Sequence, residues 1–229
     1  LYQENREYVP LERIPQSLQK AVVAIEDKAF WQHKGINFKS LGRALIVDIK
    51  ERRFAQGGST ITQQLVKNMF LSHDKTVIRK LKEAVLALMV EMRYTKEEIL
   101  EYYLNLIYLG PNLYGVSTAS EYFFSKPVDK LNLAESALLA GIINGPGFYS
   151  PAINMENAYK RRQIVLDAMV EAGYISLEEA KKAAEEKIAI PKPRKNNNVA
   201  QYFISETMKE LTALGFDVET LKTQGYKIY

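Results

Sequence analysis

The 229-residue chain contains no cysteine, which excludes disulfides, thiolate zinc sites and thiol nucleophiles while leaving the compartment open. Its two histidines, His33 and His73, are too few for a multi-histidine metal site. No run of about eighteen apolar residues occurs, so no segment reads as a membrane-spanning helix, and no signal-peptide pattern opens the chain. Strand-type alternation is nearly missing, and there is no internal repeat. The charge excess is small, +4 with a pI near 9.0. It hints at anionic partners without separating nucleic acid, lipid headgroups and phosphorylated substrates.

What is present is a globular composition, 47% hydrophobic and 25% charged, in a chain long enough for a substantial core. Leu18, Ala21, Val22, Ile25 and Ala29 recur at helical spacing behind Pro15, with Phe30 to Gly35 ending that element. Residues 36–56 form a basic amphipathic segment, followed by a helix to about Leu71. The most apolar helix is expected at 76–93, in a central, buried position. Thr95 with Glu98, Asn132 with Glu135 and Ser176 with Glu179 have capping-box spacing. They start helices that end near Gly110-Pro111, near Gly141 and beyond Glu179. Further helices are expected at about 115–125, at 155–172 stopped by Gly173, and at 199–214, and the first thirteen residues are expected to be irregular. The chain starts at Leu1 without methionine and stops at Tyr226-Lys227-Ile228-Tyr229, which alternates like half a strand. Both features suggest a piece of a longer protein, with any membrane anchor outside it.

Residues 56–68, QGGSTITQQLVKN, are the stretch richest in ligand-binding chemistry. Gly57 and Gly58 let the backbone approach a ligand closely. Thr60 and Gln63 have capping-box spacing, and the N–H groups of the following first turn suit an anion such as phosphate. A flexible loop before a well-capped helix explains the glycines and hydroxyls equally well. It does not explain the consecutive amides Gln63 and Gln64, which suit a polar ligand. Lys67 and Asn68 lie about one turn further on.

Two carboxylates lie against apolar helix: Glu26, between Val22-Val23-Ala24-Ile25 and Ala29-Phe30-Trp31, and Glu83, ahead of Leu86, Ala87 and Val90. Burial raises a carboxyl pKa towards the range of proton transfer near neutrality. Arg79 and Lys80 share a helical face with Glu83, either as an ordinary surface ion pair or as cations available to a phosphate. Glu26 alone could be an amphipathic-helix edge. Two such carboxylates around a basic, glutamine-rich loop read together as sugar chemistry with a phosphate leaving group.

In this order the chain resembles the peptidoglycan glycosyltransferase module of class A penicillin-binding proteins. Its blocks are Glu26-Asp27-Lys28-Ala29-Phe30 with His33 and Gly35, then Gly57 to Asn68, then Arg79-Lys80-Leu81-Lys82-Glu83. The fourth runs from Lys96 to Gly110, and the fifth from Glu135 through Pro146 to Tyr149-Ser150-Pro151. Lys28-Ala29 departs from the paired arginines frequent in the family, which lowers the charge beside Glu26.

The resemblance implies a mainly α, lysozyme-like two-lobed fold over 1–229, with a large globular lobe and a smaller membrane-facing lobe around 36–75. It implies that 216–229 begin a linker toward a transpeptidase domain. The implied reaction is polymerisation of lipid II into β-1,4-linked glycan strands, with inversion at the donor anomeric carbon and release of undecaprenyl pyrophosphate. Glu26 would be the base for the acceptor 4-hydroxyl. Glu83 would assist pyrophosphate departure, directly or through a divalent cation, magnesium or manganese. Substrate contacts would come from Asp27, Lys28, Ser59, Thr62, Gln63, Gln64, Lys67, Asn68, Arg79 and Lys80. Implied partners are the lipid-linked glycan chain, a phosphoglycolipid inhibitor of the moenomycin type and, through 36–56, the membrane surface, with no nucleic acid. The implied location is the outer, periplasmic face of the bacterial inner membrane.

Residues 96–110 read mainly as scaffold, Glu135 as a cap and His33 as a structural hydrogen-bonder. Trp31 could face lipid or fill the core. Two other functional classes fit parts of the pattern. A lytic enzyme on a related fold would use one acidic residue but would not need Lys67, Arg79 and Lys80 around a pyrophosphate. A non-catalytic cell-wall or membrane module would be indifferent to Glu26→Gln and Glu83→Gln.

Overall fold

The structure is a computed structural model that describes residues 7–37, 58–70, 76–191 and Glu210. The chain divides into a unit of Glu4–Ile190 and a second of Leu1–Gln3 with Pro191–Tyr229. The first unit is the one described. The expected helix at 199–214 and the linker at 216–229 lie outside the described residues, but for Glu210, as does most of the basic segment at 36–56.

Helix α1 (Gln16–Glu26) follows Pro15, which sits at the cap rather than inside the first turn. Its buried face, Leu18, Ala21, Val22, Val23 and Ala24, packs against α6 (Leu133–Ile142) and α8 (Met155–Glu171). Residues Ala134 to Ile142 of α6 are buried throughout, which makes it the centre of the core. The apolar stripe suggested that α1 continues to Ala29, but it stops at Glu26. Asp27 leaves helical geometry (φ −158°, ψ 77°) because its carboxylate is held elsewhere, accepting from Ile61 N–H at 3.1 Å and meeting His33 Nε2 at 2.8 Å.

The remaining α-helices among the described residues are α2 (Ile61–Phe70), α3 (Val77–Glu91), α4 (Lys96–Leu106), α5 (Val116–Phe124), the short α7 (Pro146–Tyr149) and α9 (Leu177–Glu185). The expected capping boxes form at Thr95/Glu98, Asn132/Glu135 and Ser176/Glu179. Helix α4 ends at Leu106, earlier than Gly110-Pro111 suggested. The chain then makes a small antiparallel hairpin, β1 (Tyr108–Gly110) with β2 (Leu113–Tyr114). Asn112 turns it at φ 58°, a left-handed conformation that asparagine tolerates better than most residues. Residues 7–13, the described part of the first thirteen, are less irregular than expected. Val9 is buried and exchanges hydrogen bonds with the Asn105 amide at 2.8 and 2.9 Å, and a 3-10 turn spans Leu11–Arg13.

Helix α3 reverses the expectation made for it. Ile78, Leu81, Val85, Met89 and Met92 point away from the described core, with Leu81 64% and Met92 85% exposed. The residues turned inward are Glu83 and Ala87, with Val90 partly buried against the core. Periodicity defines an apolar face but not the side that meets the body. The close approach constrains position 35, because Gly35 lies against the α3 backbone. A Cβ on Gly35 would stand 2.8 Å from the Ala87 carbonyl oxygen, and its φ of +83° also favours glycine.

Candidate active site

Glu26 occupies the last turn of α1, where the helix leaves the core. It lines a cavity of about 540 Å³ together with Asp27, Lys28 and Ala29. A second wall comes from Asn37, Gly58, Ser59 and Thr60, and a third from Ile164, Asp167, Ala168 and Glu171 on α8.

One oxygen of Glu26, Oε2, accepts from Gln64 Nε2 at 2.9 Å. The other, Oε1, is buried and has no partner among the described residues. Burial therefore pushes the Glu26 carboxyl above its ordinary pKa. The Gln64 hydrogen bond and the charges of Arg161 and Lys67 oppose that rise, while Asp27 adds to it. The Gln64 amide is fixed from behind, since its Oε1 accepts from Tyr103 O–H at 3.0 Å and Tyr103 is fully buried.

The stretch that opens α2 divides into internal and site-facing residues. Thr60 N–H donates to Gln63 Oε1 at 3.0 Å and Gln63 N–H to Thr60 Oγ1 at 3.1 Å, the expected reciprocal cap. Thr60 Oγ1 also donates to the Gly35 carbonyl at 2.7 Å. Thr62 is buried, donating to Glu91 Oε1 at 2.5 Å. The first-turn N–H groups expected to be free for an anion are already taken at Ile61, by Asp27, and at Gln63, by Thr60. The positive helix end has attracted a carboxylate from its own chain. Thr62, Gln63 and Asp27 thus have internal partners, whereas Ser59 lines the cavity and Gln64 touches Glu26.

Glu83, 1% exposed, is held by two cations. Arg79 Nη1 donates to its Oε2 at 2.9 Å, and Lys80 Nζ pairs with its Oε1. Lys80 Nζ also donates to Ser59 Oγ at 2.7 Å. Ser59 therefore links the Glu26 cavity to the Arg79–Lys80–Glu83 fork. Both Glu83 oxygens are engaged, and the described residues contain no group of three carboxylates or histidines near enough to share an ion. A magnesium ion is usually held by one or two carboxylates together with substrate phosphates, so Glu83 is the carboxylate here that would share one with a bound pyrophosphate.

The other expected site residues are more peripheral. Lys28 pairs with Glu171 across the cavity mouth, Lys67 is partly buried near enough to act on Glu26, and Asn68 is exposed. His33 is the structural hydrogen-bonder expected. Its Nδ1 accepts from Gly35 N–H at 3.1 Å, which leaves Nε2 to donate to Asp27. Trp31 is 44% exposed, its ring set edge-on to Phe30.

Two residues around Glu26 were absent from the sequence-derived set. Tyr103 fell inside a block read as scaffold, and its aromatic neighbours gave no sign which ring turned inward. Arg161 stands beside Arg162 on α8. A paired arginine on an otherwise amphipathic helix was the available signal. Arg162 is structural, donating to the Glu186 and Ala184 carbonyls at 2.9 and 2.5 Å. Arg161 lies over the Tyr149 ring at 5.4 Å and acts electrostatically on Glu26.

Residues 1–170 match the family model described as Transglycosylase. The chain is 47% identical over 180 residues to penicillin-binding protein 1F of Bacillus subtilis, covering 79% of this chain and 25% of that protein. It is 43% identical to penicillin-binding protein 1A of Aquifex aeolicus, covering 88% and 28%. To penicillin-binding protein 2D of Bacillus subtilis it is 40% identical over the whole chain and 33% of that protein. The chain thus spans about a quarter to a third of the length of these curated relatives. Among solved structures, penicillin-binding protein 1A from Haemophilus influenzae aligns with a TM-score of 0.53 at 23% identity, over 94% of this chain and 22% of that one, which supports the mainly helical fold. On these matches the chain belongs to the transglycosylase family, the peptidoglycan glycosyltransferase modules of class A penicillin-binding proteins.

Proposed function

We propose that the chain polymerises lipid II into β-1,4-linked glycan strands, with Glu26 as the base and the Arg79–Lys80–Glu83 fork at the leaving group. The observation that carries this reading is the Glu26 carboxylate. It lies in a cavity and is pinned at one oxygen by Gln64. At the other it has no partner among the described residues, and its pKa is raised by burial. A carboxylate with a raised pKa is a stronger proton acceptor than an ordinary exposed one. The acceptor 4-hydroxyl loses its proton to Glu26 as its oxygen bonds to the donor anomeric carbon. The bond from that carbon to the pyrophosphate oxygen breaks on the opposite face, giving inversion.

The departing charge falls to Lys80 and Arg79, with Ser59 as a neighbouring hydrogen-bond donor and Lys67 adding positive potential. Glu83 keeps the two cations in place through its own pairing with them. A phosphoglycolipid of the moenomycin type would compete for the same cations. The lipid tails of donor and acceptor place the reaction at the outer face of the bacterial inner membrane, with the basic segment 36–56 at the lipid surface. No helix among the described residues is long and apolar enough to cross it. The deciding experiment is Glu26→Gln on purified lipid II in detergent. Polymerisation is lost and donor-analogue binding is kept; full turnover by that variant overturns the assignment.

A further inference from the structure

We infer that Tyr103, a fully buried residue of the scaffold helix α4, is a positioning residue for Glu26, acting through Gln64. The inference rests on Glu26 being the base and extends that reading to a group that touches no substrate.

A glutamine amide has one accepting and one donating end, and either can be turned to a neighbour. If the carbonyl end faced Glu26, it would favour the protonated carboxyl. If the amino end faces it, the carboxylate is favoured. In this structure the choice is made by Tyr103. Tyr103 O–H donates to Gln64 Oε1 at 3.0 Å and has no other acceptor among the described residues, so turning the amide over would leave a buried proton unpaired. The Gln64 amino group is then left for Glu26 Oε2 at 2.9 Å. Tyr103 is fully buried, so its hydroxyl is shut off from bulk solvent. Burial and the nearby Glu26 and Asp27 carboxylates also push its pKa well above the ordinary tyrosine value, which keeps it a donor. The relay engages one Glu26 oxygen and leaves Oε1, the one without a partner among the described residues, for the acceptor proton. Among the described residues, the other charged groups acting on Glu26 are Asp27 beside it, Lys67 of α2 and Arg161 of α8. None of them can orient the Gln64 amide as Tyr103 does, since none bonds to it.

Tyr103→Phe keeps the ring and removes the proton. The expected result is a fall in kcat of roughly tenfold, part of the usual general-base contribution, with donor KM unchanged and the acid limb of the rate profile moved to higher pH. Gln64→Met alone should move the limb in the same direction. In that background Tyr103→Phe should add nothing, because the relay is already broken. A carbon-13 NMR titration of labelled Glu26 reads the same displacement without catalysis, so it separates failure of the relay from failure of the base assignment. If Glu26 titrates higher in Tyr103→Phe while Glu26→Gln still polymerises, the relay stands and the base assignment falls. An unchanged Glu26 titration in Tyr103→Phe overturns the relay. So does an equal further loss in the Gln64→Met background. Should the Phe variant not fold, Tyr103→Met removes the same hydroxyl and is read the same way.

Discussion

Lys80 Nζ donates to Ser59 Oγ at 2.7 Å while also pairing with Glu83, so one ammonium ties the α3 fork to the loop lining the Glu26 cavity. The charge is placed by a buried carboxylate behind it, and Lys80 itself keeps 42% of its side chain exposed. Breaking the anchor should therefore cost function more than it costs folding. Glu83→Gln retains shape but loses the charge that orders Arg79 and Lys80. Turnover on lipid II should fall by roughly a hundredfold, as when a preorganised electrostatic group is removed. The thermal midpoint should move only a few degrees. Lys80→Ala should weaken binding of a pyrophosphate-bearing donor analogue in a calorimetric titration. Unchanged affinity in Lys80→Ala would remove the fork from the donor site.

Gly35 and Gly173 both have positive φ, +83° and +70°, but differ in surroundings. At Gly173 a new Cβ meets nothing within 4 Å, so Gly173→Ala should cost only left-handed backbone strain, about 1–2 kcal/mol. At Gly35 it meets the Ala87 carbonyl oxygen at 2.8 Å and Glu91 Cγ at 3.2 Å. Gly35→Ala should cost clearly more, and should also lower activity, because the Gly35 carbonyl holds Thr60 Oγ1 beside Ser59. Denaturant unfolding of the two variants gives the comparison; equal losses would mean that α3 yields to the loop.

Caps offer a second graded test. Thr95 and Thr60 each close a reciprocal cap, but Thr95 is exposed and Thr60 is buried with an added bond to Gly35. Thr95→Ala should cost about 1 kcal/mol. Thr60→Ala should cost about 2 kcal/mol or more, since it leaves buried polar groups unpaired. The difference should appear in denaturant midpoints at unchanged slope.

The capping boxes were legible because they are local: a hydroxyl or amide and a carboxamide or carboxylate three residues apart decide them. The acidic and basic groups of the site were legible as residue types on helical faces, and Glu26 and Glu83 do lie in polar, enclosed places. What could not be read was direction. The apolar face of α3 is turned from the core, and the helix backbone at Ala87 meets Gly35 across 52 positions of chain. Helix α1 stops early because Asp27 bonds to Ile61, thirty-four positions away. Gln64 and Tyr103 are 39 apart, and nothing in either local pattern pairs them. Spacing shows which residues share an element; only packing shows which atoms of different elements meet.

The pH behaviour of Glu26 follows from its raised pKa and links activity to stability in opposite senses. As a base it must be ionised, so turnover should fall as pH drops through its folded pKa, which burial raises above its ordinary value. For stability the sign is reversed. The unfolded chain gives up this proton at lower pH than the folded one, so between the two pKa values the folded state holds more protons. Stability from this group is full below the unfolded pKa and is lost as pH rises through the folded pKa. Glu26→Gln removes a buried charge without removing the shape. The variant should therefore melt above the parent at neutral pH, with the gap closing in acid, while being inactive throughout. Thermal melts of both proteins across that range check the sign. A variant that melts below its parent at neutral pH would show that the carboxylate, despite its burial, is net stabilised by Gln64, Arg161 and Lys67.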